Sequence, residues 1–580
     1  RVPPGPESTA WSPPPFVPDL VDARPIDGYQ VNSSAAVLAL DCPAVKPDRD
    51  GWMLDLHASY ADAVQAAKQH HAALLPSANL IDGAAKQFDD GLYAALDLAC
   101  FRGDLGLTPP LPDYFRRLFD ALPAQSPARP FLAAALKQAD IDVTLDAAEA
   151  QARDRWIAGF DADEVRSKPI GFYTWTWELE TLWRFMRLLQ YQFGEREIAV
   201  PRAIADVLAQ PQHAALLEQY RAINVFYQRL TNPLIALPVD ALIGADAPLA
   251  DLARQYGAPN AAVSVLPPST SREVELFNQF GIGDNLMVTF VRAILEGLVD
   301  LAPDDTDGWY QYQTYALEAM LLPEGVQESE KLVLTAKYKR RLIDAFQALV
   351  TKRRETHARQ LAVAPRALEA PSDIGSRLRI EPTATFYLRT ARAYRFLEDF
   401  LLATVGEQAL AGMRTPKEGG YRDAALLEEL RAVQRCFYGF YLVVCEDLGM
   451  APAFLEGETV DAAAAMDEAL AWLAGLETNP DLVCDTRVSI PIYADIDKTT
   501  LWATLGVRFV PLHVSYVHPP SIRMGEEWRI IGGGESDYVL AVDEFGEFDL
   551  PPGKVLTREE LRKICDKHKT KQEILAAFAR

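Results

Sequence analysis

Residues 486–493 read Thr-Arg-Val-Ser-Ile-Pro-Ile-Tyr, and here the chain changes its period. Upstream, apolar residues recur every three or four positions. From about residue 484 they alternate and are rich in β-branched types. A period near 3.6 puts an apolar stripe on a helix, and a period of two puts an apolar face on a strand. The fold class follows from that switch: mainly α, a large helical body, with a small antiparallel β-rich module near the C-terminus and a final helix.

Working backward from the switch, the pattern predicts helices at 60–75, 80–102, 113–122, 131–138, 145–161, 175–193, 213–230, 286–301, 313–322, 331–355, 384–405, 424–447 and 460–476. Prolines and glycines punctuate nearly every gap, as helix stops require. A short apolar run at 35–40 reads as a strand. Working forward, strands are expected at 501–510 and 513–517, and a hairpin joins 528–531 to 538–542 around Gly-Gly-Gly at 532–534. Thr557-Arg-Glu-Glu560 is a capping box opening the last helix, which runs to Phe578. The organisation is therefore a Pro-rich arm (1–40), helical region one (41–365), helical region two (376–480), the β-rich module (481–555) and the C-terminal helix (556–580). The Pro-bearing stretch 364–375 separates the two helical regions.

Composition narrows the function classes. The chain has 580 residues, 49% hydrophobic and 24% charged, enough apolar material for a large core. Its formal net charge is -24, which repels nucleic-acid phosphates and anionic lipid surfaces alike. No apolar run is long enough for a transmembrane helix. The proline-rich start, from Arg1 to Pro18, has the composition of a tether after a removed signal peptide. The expectation is an extracytoplasmic bacterial protein, in the periplasm or at the cell surface, with a surface tether through the N-terminus. In that compartment Cys42, Cys100, Cys484 and Cys565 are the disulfide candidates. Cys436 and Cys445 lie nine residues apart in one helix, too far to bond.

The most distinctive segment is 169–187, Pro-Ile-Gly-Phe-Tyr-Thr-Trp-Thr-Trp-Glu-Leu-Glu-Thr-Leu-Trp-Arg-Phe-Met-Arg. Thr174 or Thr176 caps a helix here, and Glu178 and Glu180 suit its positive end. As a functional site, Tyr173, Trp175 and Trp177 would be stacking surfaces for a sugar or peptide, with Glu178 or Glu180 as acid or base. Adjacent aromatics more often pack in a core, and burial is the expectation for these rings.

Asp495-Ile-Asp497-Lys-Thr499 has the look of the nucleophile motif of haloacid-dehalogenase-like phosphatases, whose two carboxylates bind magnesium. Only 81 residues follow Thr499, too few for the rest of that parallel fold, so a charged turn between strands is the reading taken. Asp495 and Asp497, with Asp543 and Glu544, are the candidate metal ligands, and calcium is the ion their oxygens suit. No cofactor is evident. Walker A, nucleophile-elbow, dinucleotide and CxxCH motifs do not occur.

Gly171-Phe-Tyr-Thr174, Trp183-Arg-Phe-Met-Arg187, Glu381-Pro382, Tyr387, Arg389 and Tyr493-Ala-Asp495 occur in that order. In this the chain resembles the bacterial domain of unknown function 3160 family. The family's Leu-Arg-His-Asp segment has no counterpart in Ala336-Lys-Tyr-Lys-Arg-Arg341, which marks a divergent relationship. The resemblance implies export and a large helical body, and transfers no catalytic residue. The expected function is a non-enzymatic interaction or assembly subunit of an extracytoplasmic complex, with a protein as partner. A hydrolase, acting on glycan through carboxylates in a helical cleft, is the alternative, and a periplasmic ligand- or calcium-binding module the second alternative.

Overall fold

The computed structural model of the protein describes residues 29–30, 36–39, 56–69, 73–169, 171–269, 286–321, 333–334, 378–414, 424–448, 452, 461–478, 488–495, 498–516, 521–524, 527–530, 535–550 and 558–578. The chain is mainly α, with β-structure concentrated near the C-terminus and helices at its end. The helical body is organised around one long helix, Ala78–Arg102. Its ends follow local rules. Ser77 is the N-cap, accepting from Leu80 N–H at 3.2 Å, and Gly103 closes the helix in the left-handed region.

One face of this helix is unusual. Asn79, Asp82, Lys86, Asp89, Tyr93, Asp97 and Cys100 recur at intervals of three and four residues, and all are buried. That spacing makes a single stripe, so a line of polar groups lies where an apolar seam normally would. Buried polar groups need partners, and distant segments supply several of them. The Glu381 carboxylate accepts from Ala78 N–H at 2.7 Å, placing a negative charge on the helix N-terminus from 303 residues away. Gln313 and the Tyr394 hydroxyl donate to the two oxygens of Asp89, at 2.8 and 2.7 Å. Lys86 donates to Asp90, and the Tyr93 hydroxyl to Leu230 O.

The partner helices are held to one another by ion pairs on buried carboxylates. Arg389 pairs with Glu318 at 3.0 Å and lies over the Tyr315 ring, 3.6 Å from its centroid. Glu398 pairs with Arg431 at 2.6 Å, joining Ala384–Thr404 to Leu426–Leu448. Helices on both sides of the 364–375 stretch share one continuous apolar core, whereas that stretch itself lies outside the described residues.

The principal sheet runs Ala73–Pro76, Glu535–Leu550, Lys498–Tyr516, Ala36–Ala39, Val333–Leu334, and Val488–Asp495 also pairs with Lys498–Tyr516. Its centre is antiparallel, as expected. Its two outer pairings are parallel and use strands from far upstream. Tyr538, Leu540 and Val542 join the main core, while Val539 and Ala541 join a second cluster with Tyr60, Ala63 and Leu476. Alternate residues of one strand thus face two apolar layers, and the sheet centre is covered on both sides.

Several local expectations change. Residues 73–76 do not extend the helix Tyr60–Gln69; they form a strand beside Tyr538–Ala541. Val333–Leu334 is a strand against Val37–Leu38, where a helix was expected. The strands before and after 532–534 do not pair as a hairpin: Glu527–Ile530 pairs with Ser521–Met524, and Glu535–Leu550 with Lys498–Tyr516. The two strands expected at 501–510 and 513–517 are one, Lys498–Tyr516, running through Pro511. The final helix is two helices, Arg558–Lys567 and Lys571–Phe578. Thr570 and Glu573 form a reciprocal cap on the second, a signal present in the sequence as Thr-Lys-Gln-Glu.

Helices Leu426–Leu448 and Ala462–Leu476 touch through Gly439. A Cβ there would lie against the Ala465 carbonyl and 2.7 Å from Ala469 Cβ. Gly439→Ala is expected to force the helices apart and cost about 1–3 kcal/mol, read as a lower urea midpoint at unchanged slope.

Candidate functional site

The site lies at the C-terminal half of the central helix, where segment 171–189 packs on it. Gly171–Thr174 forms a single 3₁₀ turn. Trp175 N–H donates back to Phe172 O at 3.0 Å, and Thr176 then caps Trp177–Leu189, accepting from Leu179 N–H at 3.2 Å. Of the two threonines able to cap, the second does so. The helix buries Leu179, Leu182, Phe185, Met186 and Leu189 at the spacing its sequence predicts.

The aromatics divide. Phe172 is buried. Tyr173 stands between two helices: its hydroxyl donates to Asp97 at 2.5 Å, and its ring lies 4.8 Å from that of Trp183. Trp175 and Trp177, expected in the core, are 53% and 71% exposed. By spacing alone Trp175 shares a face with Leu179, Leu182, Met186 and Leu189, but the helix begins only at Trp177, after the Thr176 cap, so Trp175 lies outside it and neither indole joins the inward stripe. Burying an indole is strongly favourable, and two neighbouring tryptophans left in water are a departure from the usual balance. The strand Val488–Asp495 runs beside the 3₁₀ turn, so this edge sits where helical body and sheet meet.

Beneath the edge, Asp97 is enclosed. Burial raises its carboxyl pKa to about 6, and the Tyr173 and Tyr227 hydroxyls oppose that rise. Burial likewise pushes the neighbouring Cys100 thiol up to about 12. At that value it is protonated and unreactive at neutral pH. Of the disulfide candidates, Cys100 and Cys565 are buried and do not bond to each other, and Cys42 and Cys484 lie outside the described residues.

Glu178 and Glu180 occupy the first turn of Trp177–Leu189. Two positions apart on a helix, they diverge by about 200° and do not face one another. Glu178 is engaged by Arg102 at 2.5 Å, at the far end of the central helix. As a half-exposed pair this contributes at most about 1 kcal/mol, but it adds a second tie between the two helices.

The acidic candidates in the sheet are dispersed. Asp495 is the cross-strand partner of Lys498 in an antiparallel hairpin, whereas the phosphatase motif sits at the end of a parallel strand; Asp497 lies outside the described residues. Asp543 and Glu544 are adjacent in one strand, so their side chains leave opposite faces. Glu544 is paired with both Arg508 and Lys571. Among the described residues no three His, Cys, Asp or Glu side chains come together as a metal site.

Sequence reading missed Asp97 altogether. It passed as one more charge on a long helix. Only the helical register shared with Asp82, Lys86, Asp89 and Tyr93 could have marked it. The folded chain takes up the Asp97 proton at about pH 6, the unfolded chain near 3.9. The folded state therefore binds the proton first, so this group's contribution to stability rises as pH falls from 7 towards 4. Ionised Asp97 costs about 3 kcal/mol at most at neutral pH. The unfolding free energy of wild type minus that of Asp97→Asn is expected to fall by that order between pH 4 and 7 in urea titrations. A pH-independent difference would show that the carboxyl is not enclosed.

Four of the residues on which the expected resemblance rested meet the central helix or its partners: Tyr173 at Asp97, Glu381 at Ala78, the Tyr387 hydroxyl at Glu381 O, and Arg389 at Glu318, whereas Tyr493 and Asp495 lie in a strand of the sheet. Comparison of the chain with family models, with curated proteins and with solved structures returned no match.

Proposed function

We propose that this protein is a binding subunit of a bacterial extracytoplasmic complex, and that it engages a protein partner through the edge formed by Trp175 and Trp177. The observation that carries the reading is the exposure of both indoles, 53% and 71%, on a firmly mounted turn. Tryptophan is enriched at the energetic centres of protein interfaces, where its area is recovered on docking. The mount is stiff: a 3₁₀ turn anchored by Phe172 and Tyr173, a capped helix, and the Arg102–Glu178 pair. A pre-formed aromatic edge loses little entropy on binding. The extracytoplasmic setting is part of the proposal and is carried over from the family resemblance of the sequence. No described helix is long and apolar enough to cross a membrane.

A glycan-acting hydrolase is the second reading, and the same indoles favour it, since sugars stack on tryptophan beside carboxylates such as Glu178 and Glu180. The divergence of those carboxylates and the Arg102 pairing weigh against a catalytic couple.

Native mass measurement on untagged protein from its source separates these readings. Wild type is expected in a particle heavier than its 64.2 kDa chain, with a different co-assembled chain, and Trp175→Ala/Trp177→Ala is expected to run as the free chain. A free wild-type chain whose tryptophan fluorescence responds to glycan oligomers, with the response lost in the double variant, would move the assignment to the second reading. A free chain with no such response overturns both.

A further inference from the structure

We infer that Asp97 and Tyr173 are positioning residues for the Trp175–Trp177 edge, and that protonation of Asp97 loosens the turn on which the edge is mounted. The inference rests on the edge being the binding surface, and adds how its pose is set and regulated. The turn Gly171–Thr174 is one hydrogen-bonded unit, with Trp175 N–H returning to Phe172 O at 3.0 Å, so a movement of Tyr173 is passed directly to Trp175. Among the described residues, Tyr173 is tied to the central helix by the hydrogen bond from its hydroxyl to Asp97 at 2.5 Å. Ring contacts with Phe172 at 4.3 Å and Trp183 at 4.8 Å complete its setting.

A phenol donating to a carboxylate makes a short, charge-assisted bond, about twice as strong as its neutral counterpart. When Asp97 takes up a proton the bond becomes neutral and lengthens, and the carboxyl acquires a proton that must itself find an acceptor. The groups facing Asp97 are the Tyr173 hydroxyl from the 3₁₀ turn, the Tyr227 hydroxyl from Ala214–Leu230, and the Cys100 thiol from its own helix. Arg187 from Trp177–Leu189 and Tyr93 act on Tyr173. All but Arg187 are neutral over the mildly acid range, and the guanidinium stays charged throughout. Asp97 is therefore the group in this cluster whose charge changes near pH 6.

The test reads the edge itself and needs no partner. The full chain is labelled with 5-fluorotryptophan, and Trp175→Phe and Trp177→Phe identify their two fluorine resonances among the ten. In wild type at least one of the two is expected to shift between pH 5 and 7.5 with a midpoint near 6. Asp97→Asn should abolish that titration, and Tyr173→Phe should hold the resonance near the wild-type acid position at every pH. Unchanged positions of the tryptophan resonances other than those of Trp175, Trp177 and Trp183, whose ring lies against Tyr173, confirm that the variants are folded. Should Asp97→Asn fail to fold, Tyr173→Phe, which removes a single hydroxyl, decides the matter by itself. Edge resonances that do not move with pH, or that titrate alike in wild type and variants, overturn the inference. If the titration is present but the native particle is a bare chain, the partner reading fails and this coupling stands. If the particle is intact and the edge does not titrate, the reverse holds.

Discussion

A helix that buries Asp82, Lys86, Asp89 and Asp97 along one face has no stable existence by itself, because each ionisable group taken out of water must be met by a partner. Lys86 finds Asp90 on the same helix, and the remainder of the helical body supplies partners for Asp89 and Asp97. Glu381 caps the N-terminus, Gln313 and Tyr394 take Asp89, Leu230 O takes Tyr93, Tyr173 takes Asp97, and Arg102 meets Glu178 at the far end. These partners come from across some three hundred residues of chain. The central helix therefore specifies which distant segments are neighbours, a selectivity that a purely apolar face would not impose. The fixed geometry has a cost, and the raised pKa of Asp97 is its visible sign.

The sheet obeys a related logic with apolar groups. Its central strands present alternate residues to two separate cores, so neither face can be left to solvent. The upstream strands Ala36–Ala39 and Ala73–Pro76 complete it, one on each side of the antiparallel centre. Glu544, buried where Lys498–Tyr516 and Glu535–Leu550 pair, is neutralised by Arg508 from the neighbouring strand and by Lys571 from the last helix. Sheet, terminal helix and helical body thus form a connected structure whose contacts are mostly distant in sequence, which puts a large loop-closure cost ahead of their formation.

Against this background the exposed pair Trp175 and Trp177 stands out. Among the described residues of segment 169–187, Phe172 and Leu179 enter the core, Thr176 caps, Glu178 pairs, and Trp183 donates its indole N–H to Arg166 O. Trp175 and Trp177 are two aromatic surfaces that the fold leaves exposed beside these contacts.

Local order was legible in the chain. The change of period near residue 484, most of the succession of helices with their proline and glycine stops, a threonine cap at 174 or 176 and the apolar stripe depend on residues a few positions apart, and the structure keeps them, with Thr176 as the cap and Trp175 left off the stripe. Partnership was not legible. Ala73–Pro76 has the composition of a helix end and became a strand because Tyr538–Ala541 offered it hydrogen bonds. Glu527–Ile530 and Glu535–Leu550 look like the arms of a hairpin and instead joined different sheets. The charged stripe of the central helix has the spacing of a solvated face, and only the arrival of Glu318, Glu381, Arg389 and Tyr394 with their helices turned that region into an interior. Whether a side chain is buried depends on what packs over it from far along the chain. Periodicity marks which residues share a face; tertiary structure decides what that face meets.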